Sequence, residues 1–178
     1  MAALCPVVAV DLMLAQRACP LLINAPLDWT GHLLTAALLL VALPRSARGK
    51  IWPWALLGSV AIDIDHVPLY TFAPWFDVGG RPPTHSLLTV LVLAGVAVLI
   101  PAVRTPFAGL ALGVCLHFVR DVATGPGVPL LWPLHDSAVR VPYAAYLAVL
   151  VVAVGVATWR IFRGTRQCDA PPAAAVAA

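Results

Sequence analysis

The residues able to do chemistry in this chain are few, and they fall in short pairs. Asp63-Ile64-Asp65-His66 sets two carboxylates two residues apart with an imidazole beside the second. At a helix end or turn, two or three of these groups can converge on one cation. His117 and Asp121 are four apart, hence on one helical face with a rise of about 6 Å between them, so both can reach a common ion or adjacent ions. Imidazole nitrogen and carboxylate oxygen without sulfur suit zinc first, and manganese or iron before calcium. Taken singly, each pair has a plainer explanation: a histidine at a helix end is often an interfacial polar group, and Asp-x-Asp can solvate a helix end or cap the next element. Arg120, between His117 and Asp121, either pairs with Asp121 or Asp63 or serves as a phosphate or oxyanion clamp.

What must position these groups is a membrane bundle. Of 178 residues, 61% are hydrophobic and only 11% charged, with a mean hydropathy of +0.92, which places the chain in a lipid bilayer. Tyr143 to Phe162 carries no charge before Arg160 and reads as a transmembrane helix, as does Ser86 to Val103. His32 to Leu43, Ile51 to Ile64 and Phe107 to Val122 read as helices packed inside the bundle, where their polar ends meet one another. The six tryptophans fall near the ends of these runs or in connections. Met1 to Ile23 is apolar but interrupted by Asp11, Arg17 and two prolines; it lacks the features of a secretory signal and is left as an extra helix or an upstream extension. The expected fold is therefore all-α: one polytopic domain over residues 1–166 with five helices, or six if residues 1–28 add one, followed by a disordered tail at 167–178.

Topology then gathers the ionisable residues. His32 opens the first helix, Asp63, Asp65 and His66 close the second, His85 opens the third, His117, Arg120 and Asp121 close the fourth, and His135 with Asp136 precedes the fifth. Alternation up and down puts all of these ends on one side. Arg45, Arg48 and Lys50, then Arg104, then Arg160, Arg163 and Arg166 mark the opposite ends as cytoplasmic, so the polar cluster is expected on the outer face. Asp11 and Asp28 show no partner pattern and are expected in loops. The four cysteines lie far apart with no C-x-x-C spacing, which argues against a thiolate site or disulfide framework. The net charge of +3 reflects loop placement, and no nucleic-acid-binding surface is expected. The apolar, Gly- and Pro-rich stretch Thr124 to Pro133 cannot be helix; it either hugs the membrane as a connector or folds back over the site.

At Gly31-His32-Leu33-Leu34, Asp63-Ile64-Asp65-His66, Thr84-His85-Ser86-Leu87-Leu88 and Leu116-His117-Phe118-Val119-Arg120-Asp121 through Gly127-Val128-Pro129-Leu130-Leu131-Trp132-Pro133, the sequence resembles the YdjM-like family of bacterial inner-membrane proteins. That family is described as metal-dependent hydrolases, one branch of it LexA-regulated. The resemblance implies an inner-membrane location and metal-ligand roles for Asp63, Asp65, His66, His85, His117 and Asp121. Two departures stand out: Gly80-Arg81-Pro82-Pro83 replaces a His-Arg-Gly lead-in, and Ile62 stands where a proline commonly precedes Asp-Ile-Asp-His, the following proline being displaced to Pro68. More distantly, the order of His and Asp residues is similar to that of zinc-dependent phospholipase C and the single-strand nucleases, which suggests a phosphoester substrate.

These expectations combine into a membrane-embedded hydrolase of an ester or phosphoester, lipid-like or a small molecule, working through a metal-activated water. Asp63, Asp65, His66, His85, His117, Asp121 and His32 supply the metal donors; Asp63 or Asp65, whichever is not a ligand, is the base, and Arg120 steadies negative charge. A metal-ion or proton transporter, or a scaffold with a structural metal, are the rival classes.

Overall fold

The structure is a computed structural model, and it describes residues 2–16, 21–66, 77–78 and 80–168. Among the described residues six helices of ten residues or more carry the fold: α1 (Cys5–Ala15), α2 (Leu21–Ala42), α3 (Trp52–Ala61), α4 (Leu87–Leu99), α5 (Arg104–Asp121) and α6 (Tyr143–Cys168). Among the described residues the only extended pairing is two isolated bridges, Val78 with Arg81 and Val128 with Val139. Among the described residues three helical stretches are long and apolar enough to cross a bilayer: Ile23–Ala42, Pro101–Asp121 and Tyr143–Arg163.

Several boundaries differ from those expected, each for a local reason. The second helix covers Leu21–Ala42 and does not start at His32; Pro26 lies inside it and removes one intrahelical hydrogen bond without ending it. This carries Asp28 onto the helix one turn before His32. The run from Ser86 to Val103 is not one span: α4 stops at Leu99 ahead of Pro101, and 13 residues reach only about 20 Å. After α3 the chain tightens into a 3-10 turn, Ile62–Asp65, in place of continuing as α-helix to Ile64. The opening stretch does supply a sixth helix, α1, so Asp11 is helical and not in a loop. At the other end α6 runs into the first residues of the expected tail, and the rest of that tail lies outside the described residues.

α5 is the centre of the bundle, packed against α2, α3 and α4, while α1 and α6 close on α2. Its contact with α3 is unusually close because both helices present small residues. Gly109, Gly113, His117 and Asp121 recur every four residues along one strip of α5. Ala55, Gly58 and Ser59 are the buried face of α3. A Cβ on Gly58 would sit 2.6 Å from the Leu110 carbonyl oxygen, and one on Gly113 would run into the Ala55 carbonyl and lie 2.8 Å from the Ser59 nitrogen. In a bilayer, backbones that approach this closely gain packing that lipid cannot match. The same strip that packs the helices at its lower end carries His117 and Asp121 at its upper end.

Two apolar clusters hold the rest. Leu4, in the 3-10 turn before α1, and Val7 of α1 pack with Tyr146 and Leu150 of α6, and Ile62, Val114, Phe118 and Val128 join the 3-10 turn after α3 to α5 and the stretch that follows it. That stretch folds back over the site end of the bundle: Val128 and Val139 exchange backbone hydrogen bonds of 3.1 and 2.8 Å, and Leu130 accepts 2.9 Å from the Leu87 amide that starts α4. The turn requires Gly127, whose φ of +91° is strained for any other residue and whose Cβ would meet the Val139 carbonyl oxygen at 2.6 Å.

Candidate metal centre

Four segments deliver their polar groups to one buried volume. α5 brings His117 and Asp121, the 3-10 turn and the residue after it bring Asp63, Asp65 and His66, the connection into α4 brings His85, and the middle of α2 brings His32. His32, His85 and His117 are fully buried, as is Asp121, and Asp63 nearly so. All seven residues expected as metal donors thus meet in one cluster. His135 does not join it; exposed in the connection before α6, it accepts hydrogen bonds from Ser137.

The ring tautomers follow from the backbone and carboxylate partners. His117 donates its Nδ1–H to the Ser59 carbonyl at 2.8 Å, which leaves Nε2 a bare lone pair directed 2.8 Å from Asp121 Oδ2 and 3.5 Å from Asp63 Oδ1. His85 lies with Nδ1 3.1 Å from Asp65 Oδ2, and its Nε2 falls 3.5 Å from Asp63 Oδ1 and 3.8 Å from Asp121 Oδ2. An imidazole held by a carbonyl or carboxylate at one nitrogen and presenting the other is the usual arrangement of a metal-binding histidine. His32 stacks on His117 with centroids 3.7 Å apart, and its Nε2 lies 3.3 Å from Asp121 Oδ1.

Asp65 sits one bond further out. It accepts from Thr84 and from His85, and His66 Nδ1 is 3.0 Å from its Oδ1. Burial opposes its charge, but the hydrogen bonds from His66, His85 and Thr84 win and hold its carboxyl well below the usual carboxylate range. For His85 burial likewise opposes the charged form, and Asp63 and Asp65 overcome it, so its pKa is raised. The sequence treats Asp63 and Asp65 as equivalent; the structure separates them, Asp65 orienting His85 and Asp63 facing inward.

The fit to a cation rests on buried atoms that face one another without a hydrogen bond in the protein. Both oxygens of Asp63, Nε2 of His85, Nε2 of His117 and Oδ2 of Asp121 are buried and make no hydrogen bond. Buried polar atoms in this state cost about 1–3 kcal/mol each, more when charged, and native proteins rarely leave several together. Their separations of 2.8 to 3.8 Å around the Asp63–His85–Asp121–His117 circuit bracket the about 3.4 Å expected between donors of a tetrahedral ion with bonds near 2.1 Å.

The cations fall differently from the sequence expectation. Arg120 pairs with neither Asp121 nor Asp63. Its guanidinium bonds Asp11 at 2.9 Å and Asp28 at 2.6 Å, with Nη1 also 3.1 Å from His32 Nε2, and Gly31 leaves the space it fills. Tyr143 adds a 2.9 Å hydrogen bond to Asp11. Asp11 and Asp28, expected in loops, are therefore the counter-charges of a buried arginine. A second guanidinium, that of Arg81, touches the cluster at its carboxylate side, bonded to Asp121 Oδ1 at 2.8 Å and to the Gly127 carbonyl at 3.1 Å. Sequence analysis missed Arg81 because its pairing spans forty residues; the four-residue spacing of Asp28 and His32 was a signal that could have been read.

Comparison with known proteins agrees with this picture at the level of the membrane. The chain is 35% identical over 108 residues to the inner membrane protein YdjM of Escherichia coli (strain K12), a match covering 51% of this chain and 54% of that protein. The inner membrane protein YdjM of Shigella flexneri matches with the same identity and coverage. The match spans about half the length of these curated relatives. No solved structure matches. Residues 27–178, which hold every donor of the cluster, match the family described as YdjM inner membrane protein, and the chain belongs to that family.

Proposed function

We propose that this protein is a membrane-embedded metal-dependent hydrolase of an ester or phosphoester, with its site at the outer face of the bacterial inner membrane. The observation that carries this is the circuit of uncommitted donor atoms on Asp63, His85, His117 and Asp121. A divalent cation, zinc first and manganese or iron as the other candidates, would sit among them. When bound, it supplies Lewis-acid charge that activates water and polarises a phosphoryl or acyl group.

The chain's own residues do the rest. Ser59 and Asp65 fix the orientation of His117 and His85. Asp63, nearly fully buried and without a hydrogen bond in the protein, offers its carboxylate to the cation. Arg81 neutralises one oxygen of Asp121 and leaves the other toward the histidines. Arg120 takes a structural part in this reading, because its donors are engaged by Asp11, Asp28 and His32. Exposed Ile64, Leu131 and Leu134 lie in the segments that bear or cover the cluster, which suits an amphiphilic, lipid-like substrate. Arg45, Lys50, Arg104 and Arg160 follow or precede the opposite helix ends and favour the cytoplasm for that side.

The test is purified protein in detergent, given phosphodiester and phospholipid substrates with added zinc or manganese. Turnover that His117→Ala and Asp121→Ala abolish supports the proposal. Metal-dependent ion flux into liposomes without turnover replaces it with a transporter.

A further inference from the structure

The donor set is larger than one cation uses. A tetrahedral site takes four ligands, whereas His32, Asp63, His66, His85, His117 and Asp121 all present a donor atom to the same buried volume. The way they divide is informative. His32, Asp63 and His117 form one group whose ligand atoms lie within 4.8 Å of one another, and Asp63, His66 and His85 form another. These two groups share no residue except Asp63. The third, His85, His117 and Asp121, spans the two, with one histidine from each.

Asp63 has the features a shared ligand needs. It is nearly fully buried, and neither carboxylate oxygen makes a hydrogen bond. A carboxylate serving a single cation through one oxygen often has the other satisfied by a backbone amide or a hydroxyl of the protein, and Asp63 has neither. One of its oxygens, Oδ1, faces histidines of both groups: His117 Nε2 and His85 Nε2 are each 3.5 Å from it, and His66 Nδ1 is 3.7 Å from the same atom. The 3-10 turn produces this, because residues three apart in such a turn eclipse one another and Asp63 therefore lies beside His66.

We infer that the centre is dinuclear, with Asp63 bridging two divalent cations, one on the His32, His117 and Asp121 side and one on the His66 and His85 side. The inference rests on the metal-dependent reading above and deepens it. Paired ions at such a site sit about 3.5–4 Å apart and clamp both the attacking and the leaving oxygen of a displacement. It also narrows the substrate class. Two divalent ions outweigh the carboxylates of Asp63, Asp65 and Asp121, and Arg81 adds further positive charge, so the site favours an anionic group, a phosphoester before a neutral carboxylic ester.

The experiment is metal analysis and electron paramagnetic resonance on the full chain in detergent, loaded with manganese alone and freed of excess. The expected result is about two ions per chain with the exchange-coupled spectrum of a close pair, falling to about one uncoupled ion in His66→Ala. His66 is on the partly exposed rim of the cluster, so its removal leaves the bundle intact, which circular dichroism and elution volume verify. Asp63→Asn, which keeps the side-chain volume, should abolish the coupling. One ion per chain in both wild type and His66→Ala overturns the dinuclear centre and leaves a single-ion hydrolase standing. No bound ion in wild type overturns both. Two ions without coupling, retained in His66→Ala, overturn the bridge.

Discussion

The His117 imidazole donates to the Ser59 carbonyl at 2.8 Å, and this one bond ties the chemistry of the cluster to the packing of two helices. A backbone carbonyl can be brought to a histidine on another helix only if the two backbones nearly touch, and Gly58, Gly109 and Gly113 permit that. Gly113→Ala should therefore lower both thermal stability, by about 1–3 kcal/mol, and metal content, because α3 must move away and take the Ser59 carbonyl with it. Gly95→Ala is the control, since a Cβ there meets nothing within 4 Å. Thermal unfolding and metal analysis of the two variants side by side check this; equal metal content in both would mean that helix contact does not position His117.

Asp65 should act through His85 and not through contact with substrate. Removing it in Asp65→Ala frees the His85 ring and is expected to weaken metal binding about 10–100-fold, measured by competition with a coloured chelator. The sign of the pH effect follows from the raised pKa of His85. A proton competes with the cation for the imidazole, so affinity should fall as pH drops. Loss of Asp65 removes one cause of the raised pKa, and the fall in affinity should move to lower pH. A shift to higher pH would contradict the role given to Asp65.

The contrast between Asp63 and Asp65, and between Arg81 and Arg120, shows what was legible from sequence. The helical class and the meeting of seven expected residues in one cluster could be read because apolar runs and alternation bring polar helix ends together whatever the detailed packing. His32 joined the cluster even though its helix begins eleven residues earlier than expected, since only its level in the bilayer mattered. The partition of roles was not legible. It depends on a 3-10 turn that rotates Asp63 inward while Ile64 points out, and on pairings such as Arg81 with Asp121 and Arg120 with Asp11 that cross the chain without a local pattern. Among the described residues three helices are long and apolar enough to cross a membrane, because Pro101 ends α4 early and α3 gives way to the turn that carries Asp63 and Asp65.

Arg120 separates a structural role from a clamp. Its guanidinium is buried and bonded to Asp11 and Asp28, so Arg120→Met strands two carboxylates and should cost about 3–5 kcal/mol of stability. Adding Asp11→Asn to that variant removes one stranded charge and should recover part of the loss. Thermal unfolding of the single and double variants checks this. If Arg120→Met instead unfolds at the wild-type temperature while turnover collapses, the arginine is serving substrate.

Metal removal should destabilise the bundle at the site end first. Without a cation, Asp63 and Asp121 present buried charge to lone pairs of His85 and His117, and the 3-10 turn, the residues before α4 and the end of α5 lose their common partner. Dialysis against a chelator should lower the unfolding temperature, and zinc or manganese should restore it, since a ligand at about 100 times its dissociation constant adds about 2.7 kcal/mol. Hydrogen exchange places the effect: amides of Ile62 to His66 and of Leu116 to Asp121 should lose protection, while those of Tyr146 to Val154, in the part of α6 packed on α1 and α2, keep theirs. Uniform loss of protection along α6 would show that the cation stabilises the whole fold and not a local centre.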